Sequence, residues 1–111
     1  MLIKINELMV LERLLLEIEV RFKYDMNFGD AYKLHQLLTS VGKITSYAFL
    51  IQDEYHKKFN DTEKLKEYHN MVMSSEVEYD STETINFIKY TAFKYGNEEF
   101  EKIMKEIKFW D

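Results

Sequence analysis

The sequence predicts a mostly α fold, built as an antiparallel helical hairpin followed by C-terminal helices, with a minor two-stranded β element. Two observations predict it. The 111 residues include no proline and only three glycines, a composition that favours long uninterrupted helices over a turn-rich β fold. Apolar residues also recur at spacings of three and four along two long stretches, as they do in amphipathic helices. The length suits a single helical domain over residues 1–111.

The first helix of the hairpin is predicted over residues 7–22. Residues 2–5 alternate loosely in polarity and predict a short strand before it, and Asn6 offers the helix a side-chain cap. The apolar stripe is wide, so we expect more than half of the girth of this helix to be buried. It is formed by Leu8, Leu11, Leu15, Ile18 and Phe22 and is widened by Leu14, Leu16 and Val20.

The second helix has the most regular pattern. A loop is predicted over residues 24–29, and Asp30 then caps a helix that continues to Phe59, with a charge that suits the helix dipole. At 1.5 Å per residue this helix is roughly 40 Å long. Its heptad seam needs a partner, and the first helix, joined by a short loop, is the expected antiparallel one. The seam consists of Leu34, Leu37, Val41, Ile44, Ala48, Ile51 and Tyr55.

A short third helix and a strand follow the hairpin. Asn60 and Glu63 have the spacing of a capping box, and Ser74 marks the end of the helix that they begin. Polar and apolar residues then alternate over residues 76–80, which predicts a strand that can pair with residues 2–5. The thin apolar stripe of the third helix consists of Leu65, Tyr68 and Val72.

Residues 81–95 fit two structures. Their apolar spacing fits a helix, which we favour, but many of the side chains are also β-prone, and a strand remains the alternative. Gly96 supplies a stop and Asn97 a cap for a final amphipathic helix. Its apolar positions are Phe100, Ile103, Met104 and Ile107.

The charge distribution limits the classes of partner that the chain is expected to bind. The net charge of −5 arises entirely from residues 60–111, because basic and acidic residues balance over residues 1–59. Without a cluster of Lys and Arg, direct binding to DNA, RNA or an anionic membrane is disfavoured. There is no apolar run long enough to span a bilayer and no recognisable secretory signal, so we expect a cytoplasmic protein.

The sequence predicts no catalytic, cofactor-binding or metal-binding residues. It has no cysteine, and His35, His56 and His69 lack the spacing of a zinc site. Its glycines are isolated, so no phosphate-binding loop is present, and no Ser lies in a recognisable nucleophile motif. A small metal-dependent enzyme would require a metal bound to the purified protein.

Acidic and aromatic residues give the positive indications of binding. Glu76, Glu78 and Asp80 are expected on one side of the strand, where they form either a solvated face or a row that imitates phosphate spacing. Seventeen of the 111 residues are aromatic, more than a core of this size can hide, and exposed Tyr and Trp are enriched in interfaces. The predicted partner-binding residues are Glu76, Glu78, Asp80, Tyr90, Phe93, Tyr95 and Trp110.

The order of segments resembles a group of small helical proteins of unassigned function that phages and prophages of Gram-positive bacteria encode. Three segments carry the resemblance. They are Ile5-Asn6-Glu7-Leu8, the opening Ala31-Tyr32-Lys33-Leu34 with Leu37-Leu38 of a helix that ends near Glu54-Tyr55, and Glu76-Val77-Glu78-Tyr79-Asp80. The resemblance implies phage origin and a helical hairpin, and it implies no activity.

Together these observations predict a non-catalytic protein-binding module of phage type that acts in the host cytoplasm. It would inhibit a host protein, such as a defence protein, or assist phage assembly, and the helix seam offers a route to a homo-oligomer. The alternative is a small regulatory protein that contacts nucleic acid directly.

Overall fold

The computed structural model describes residues 1–96 and Lys105. This part of the chain is mostly helical with one small antiparallel sheet, which confirms the predicted fold class. The final helix predicted after Gly96 lies outside the described residues. In chain order the elements are β1 (Leu2–Lys4), α1 (Ile5–Phe22), α2 (Phe28–Lys58), α3 (Thr62–Ser74), β2 (Glu76–Glu78) and α4 (Thr82–Tyr95).

Helices α1 and α2 form the antiparallel hairpin. Ile5, at the start of α1, packs in one apolar cluster with Ala48 of α2. Further along α1, Glu12 Oε2 accepts a hydrogen bond of 2.7 Å from Thr45 Oγ1, which precedes Ala48 in the sequence. The contacts advance along α1 as they go back along α2, so the two helices run in opposite directions.

The start of α1 differs from the prediction. The helix begins at Ile5 without a side-chain cap, so the assignment of Asn6 as the cap was wrong. Strand β1 leads directly into α1, and the Ile5 N–H donates to the Ser75 carbonyl at 3.0 Å. The Ser75 carbonyl therefore accepts from a backbone N–H in the first turn of α1, where a capping side chain would otherwise be the acceptor.

The buried stripe of α1 matches the predicted one except at its edge. Leu14 is fully buried with the main stripe, but Leu16 is 45% and Val20 is 80% exposed, so the expectation that these two are buried was wrong. Both project from the side of the helix turned away from the stripe. The fully buried residues of α1 are Leu8, Leu11, Leu14, Leu15 and Ile18.

Helix α2 begins before the predicted cap. It starts at Phe28, and the side chain of Asn27 caps it by accepting a hydrogen bond of 2.8 Å from the Asp30 N–H. Asp30 therefore lies inside the first turn, and its assignment as the cap was wrong. Because the side chain of Asn27 accepts the hydrogen bond at the start of the helix, the carboxylate of Asp30 is available for other partners.

The heptad seam of α2 is buried only in part. Its first members and Ala48 are buried, but Ile44, Ile51 and Tyr55 are half-buried. Thr45 and Gln52 are buried in their place. An α-helix has 3.6 residues per turn, so a strict seven-residue repeat drifts by roughly 20° per heptad around a straight helix. Ile44, Ile51 and Tyr55 accordingly lie at the edge of the buried side of α2.

The third helix and the sheet are close to their predicted positions. Asp61 caps α3 by accepting from the Glu63 N–H at 3.0 Å, so the assignment of Asn60 as the cap was wrong by one residue. Strands β1 and β2 pair antiparallel in a register that places Ile3 opposite Val77. Strand β2 ends at Glu78, two residues before the predicted end.

The segment predicted over residues 81–95 is a helix, as favoured, and not a strand; α4 begins at Thr82, with Ser81 at the cap position. The turn before it is held by side chains: Asp80 Oδ1 accepts from the Thr82 N–H at 3.1 Å, and the hydroxyls of Tyr79 and Thr84 are 2.8 Å apart. The Tyr79 N–H still donates to the Met1 carbonyl at 3.0 Å, so the chain turns into α4 only after this residue. The buried face of α4 consists of Thr84, Ile85, Phe87, Ile88 and Thr91.

Candidate protein-binding surface

Helix α2 carries unusually few charges for a helix at the surface. Lys43 is the one charged residue in the stretch 34–52, whereas 32% of the whole chain is charged. The stretch also exposes large side chains, with Tyr47 63%, Phe49 54% and Leu50 52% accessible to solvent. Depletion of charge together with exposed aromatic residues is typical of the centre of a protein–protein interface.

A groove of about 540 Å³ runs between α2 and α3 and ends at β2. We call it the α2–α3 groove. Its base is formed by the buried cluster of Ile5, Ala48 and Val72. Met71, at the rim, is 53% exposed. The other lining residues are Lys43, Ile44, Tyr47, Ile51, Tyr68, Ser75, Val77 and Glu78.

The groove exists because α3 covers α2 incompletely. The drift of the heptad seam leaves Ile44 and Ile51 half-buried at the edge of the contact with α1, where Ile44 packs against both apolar clusters and both residues line the groove. Helix α3 offers a thin stripe in return, and Val72 is its one buried residue. Apolar side chains that a broader helix would cover therefore remain half-exposed along the groove.

Aromatic stacking fixes the far end of the groove. The rings of Tyr55 and Tyr68 are parallel within 5°, with centroids 3.9 Å apart, and Phe59 stacks on Tyr55 at 4.5 Å. Buried Gln52 also links the two helices, because its Oε1 lies 2.7 Å from His69 Nδ1. These contacts join α3 to α2 at this end of the groove.

Two of the three predicted acidic residues lie beside the groove. Glu76 and Glu78 point outward from β2, and Glu78 lines the groove and pairs with the amino group of Met1. Asp80 is separate from them, because it belongs to the turn before α4. Hydrogen bonds from Thr82 hold the pKa of the Asp80 carboxyl below its usual range.

Two of the predicted aromatic residues contact another helix. The hydroxyls of Tyr95 and Tyr90 donate to Asp30 Oδ2 at 2.6 and 3.2 Å, and Lys94 Nζ lies 3.2 Å from the same oxygen. Lys94 also lies over the two tyrosine rings, 5.1 Å and 5.4 Å from their centroids. We call this group the Asp30 cluster; it joins the last turn of α4 to the first turn of α2.

The ionisation of the Asp30 cluster follows from these contacts. Partial burial raises the pKa of the Asp30 carboxyl, but the hydrogen bonds from Tyr95, Lys94 and Tyr90 outweigh it and hold that pKa below its usual range. The hydrogen bonds that Lys94 makes with Tyr90, Tyr95 and Asp30 raise the pKa of its ammonium group. Both groups are therefore charged at neutral pH, and they stabilise the docking of α4.

The remaining predicted aromatic residues are not joined to this group. Phe93 is 92% exposed on α4, and Trp110 lies outside the described residues. The described members of the predicted set therefore divide into the acidic pair on β2, Asp80 in the turn before α4, the tyrosines of the Asp30 cluster, and Phe93 by itself.

The α2–α3 groove is lined mostly by apolar side chains and by few polar groups. Among residues 1–96 and Lys105, no three acidic or histidine side chains come together as a metal site would require. Within the same residues, no helix is long and apolar enough to cross a membrane. The groove residues Tyr47 and Met71 were missed from the sequence, although the low charge of residues 34–52 was a visible signal for them.

No protein-family model, curated protein or solved structure matches the chain. The function is therefore inferred from the geometry of the site.

Proposed function

We propose that this chain is a non-catalytic protein-binding domain that receives the apolar face of a partner's helix in the α2–α3 groove. One observation carries the proposal: an open groove with an apolar base lies along a helix that has a single charge between residues 34 and 52. Grooves between helices commonly bind amphipathic helices through apolar residues spaced three and four apart.

The dimensions of the groove fit such an occupant. It extends along α2 from Lys43 to Ile51 and adjoins, at Ile51 and Tyr68, a second depression beside Tyr55. From Lys43 to Tyr55 this is roughly 18 Å at the rise of an α-helix, or a little over three turns. A partner helix of that length would place three or four apolar side chains against Ile44, Ile51 and Met71.

The charges around the groove favour a protein over a nucleic acid. Glu78 lines the groove at one end, with Glu76 exposed on the same strand, and Glu54 lines the depression at the other. Lys43, Lys57 and Lys58 are separated by these acids and by the apolar lining. A phosphate backbone needs a continuous row of cations, which this surface does not offer.

The resemblance to small phage proteins extends the proposal to a role in an infected cell. The chain would act in the host cytoplasm, either on a host protein such as a defence protein or in phage assembly. The acidic pair supports action on a host protein, because basic residues at one end of a partner's helix could pair with Glu76 and Glu78.

The groove is tested by capture from a host lysate with three forms of the protein. Met71→Glu places a charge on the rim and is expected to abolish capture of a specific partner, because a carboxylate would be desolvated without a pair. Phe93→Glu is the matched control, since Phe93 is exposed and does not line the groove. A partner that Phe93→Glu loses and Met71→Glu retains would contradict the proposal.

A further inference from the structure

The methionines of the described residues differ in their access to solvent. Met71 is 53% and Met1 is 62% exposed, whereas Met9, Met26 and Met73 are half-buried. An oxidant must touch the sulfur, so exposed thioethers react first. The sequence has no cysteine, so no thiol of this chain competes with the thioethers for the oxidant. Met71 and Met1 are therefore the first of these side chains that a peroxide oxidises.

Met71 differs from Met1 in its position. Met71 lines the α2–α3 groove together with the buried Val72, and Met1 does not line it. The backbone of Met71 is held within α3, because its carbonyl accepts hydrogen bonds from Ser75 Oγ at 2.6 Å and from Ser74 Oγ at 3.3 Å. A chemical change at the sulfur therefore alters the rim of the groove without requiring the backbone of α3 to move.

We propose that Met71 is a site of reversible oxidation, and that its sulfoxide weakens the binding of the partner's helix in the α2–α3 groove. This inference rests on the proposed function. Hydrogen peroxide supplies the oxygen: the sulfur loses two electrons and forms a bond to one peroxide oxygen, the oxygen–oxygen bond breaks, and the other oxygen leaves as water. A thiol-dependent reductase reverses the step, because two thiols reduce the sulfoxide, form a disulfide and release the oxygen as water.

The sulfoxide opposes binding because it turns an apolar side chain into a polar one. In the occupied groove Met71 faces the apolar residues of the partner's helix, and an oxygen buried there without a hydrogen-bond donor costs free energy. We expect the affinity for the partner to fall by about tenfold or more. Met9 and Met73 pack on the apolar cluster at the base of the groove, so their slower oxidation disturbs the packing of the fold and not the rim alone.

The experiment treats the purified chain with hydrogen peroxide and follows each methionine by mass spectrometry of its peptides. Binding is measured before and after treatment with two probes. One is anilinonaphthalene sulfonate, a dye that binds exposed apolar surface, and the other is the partner protein that wild type captures from the lysate. Met71→Leu is the matched variant, because it removes the sulfur at nearly constant volume. Each form is compared with itself before treatment, and circular dichroism confirms that the treated forms are folded.

We expect Met71 to be oxidised before Met9, Met26 and Met73. Both probes should then bind oxidised wild type more weakly, with the partner weakened by about tenfold or more, and a methionine sulfoxide reductase should restore binding. Peroxide should leave the binding of Met71→Leu as it was before treatment.

Three results would overturn the inference. They are a Met71 that is oxidised no faster than the half-buried methionines, an oxidised wild type that binds both probes as tightly as before, and a Met71→Leu variant that loses as much binding on oxidation as wild type. A lysate that yields no partner for untreated wild type would instead refute the proposed function. The mass spectra and the dye then decide whether oxidation of Met71 alters the groove.

Discussion

The Asp30 cluster allows a sharp prediction about stability. Replacing Asp30 by Asn keeps the shape of the side chain and removes its charge. Asp30 is 15% exposed and accepts its shortest hydrogen bond, 2.6 Å, from Tyr95. Hydrogen bonds to a charged group contribute about 1.5–3 kcal/mol, against about 1 for a neutral pair, and a negative charge in the first turn of a helix adds about 0.3–1. We expect Asp30→Asn to lower the free energy of unfolding by about 2 kcal/mol at neutral pH.

The pH dependence gives the same prediction a second test. The folded state lowers the pKa of Asp30, so the unfolded chain takes up the proton more readily. The contribution of the carboxylate is complete above the unfolded value of about 3.9 and is lost as pH falls through the lower folded value. The difference between wild type and Asp30→Asn should therefore shrink as the pH falls below about 4.

The assay is urea or thermal unfolding followed by far-ultraviolet circular dichroism at several pH values. For a domain of this size 2 kcal/mol corresponds to a shift of about 10 °C in Tm. Asp53→Asn is the matched control, because Asp53 is an exposed carboxylate on the same helix. An Asp30→Asn variant as stable as wild type, or a deficit that persists unchanged in acid, would refute the reasoning.

Further predictions concern the hairpin, and all are measured by the same unfolding assay. Leu15→Ala should cost about 2–5 kcal/mol, because Leu15 is fully buried; a loss under about 1 would contradict its place in the core. Val20→Lys should change stability by less than about 0.5 kcal/mol, since Val20 is 80% exposed; a large loss would show that its side chain is covered. Thr45→Val should cost about 1 kcal/mol, because it removes the 2.7 Å hydrogen bond to Glu12; an unchanged Tm would mean that this bond contributes nothing.

The sequence was sufficient for the fold class and for the main stripe of α1, because both depend on local spacing. It was not sufficient for the edges of the stripes. Leu16 and Val20 are apolar and four residues apart, but they lie on the side of the helix turned away from the stripe, and apolarity alone does not bury a side chain. Similarly, the heptad pattern predicted Ile44 and Ile51 on the seam, but the drift of a straight helix turns them towards the groove.

Contacts between distant residues account for the other differences. Tyr95 and Asp30 lie 65 positions apart, and no local pattern pairs them, so Tyr95 resembled an interface residue and Asp30 a cap. The groove combines side chains of α2, α3 and β2 in the same way. The one local indication of the groove was the lack of charge in residues 34–52, which is as visible in the sequence as the apolar seam of α2.

The most direct test of the α2–α3 groove is site-specific photo-crosslinking in cells of the proposed bacterial host. A photoreactive phenylalanine analogue is placed at Met71 in one strain and at Phe93 in another, since both positions are exposed and only Met71 lines the groove. We expect a discrete crosslinked partner protein from position 71 and none from position 93. A partner crosslinked from position 93 and absent from position 71 would contradict the assignment of the groove as the binding site.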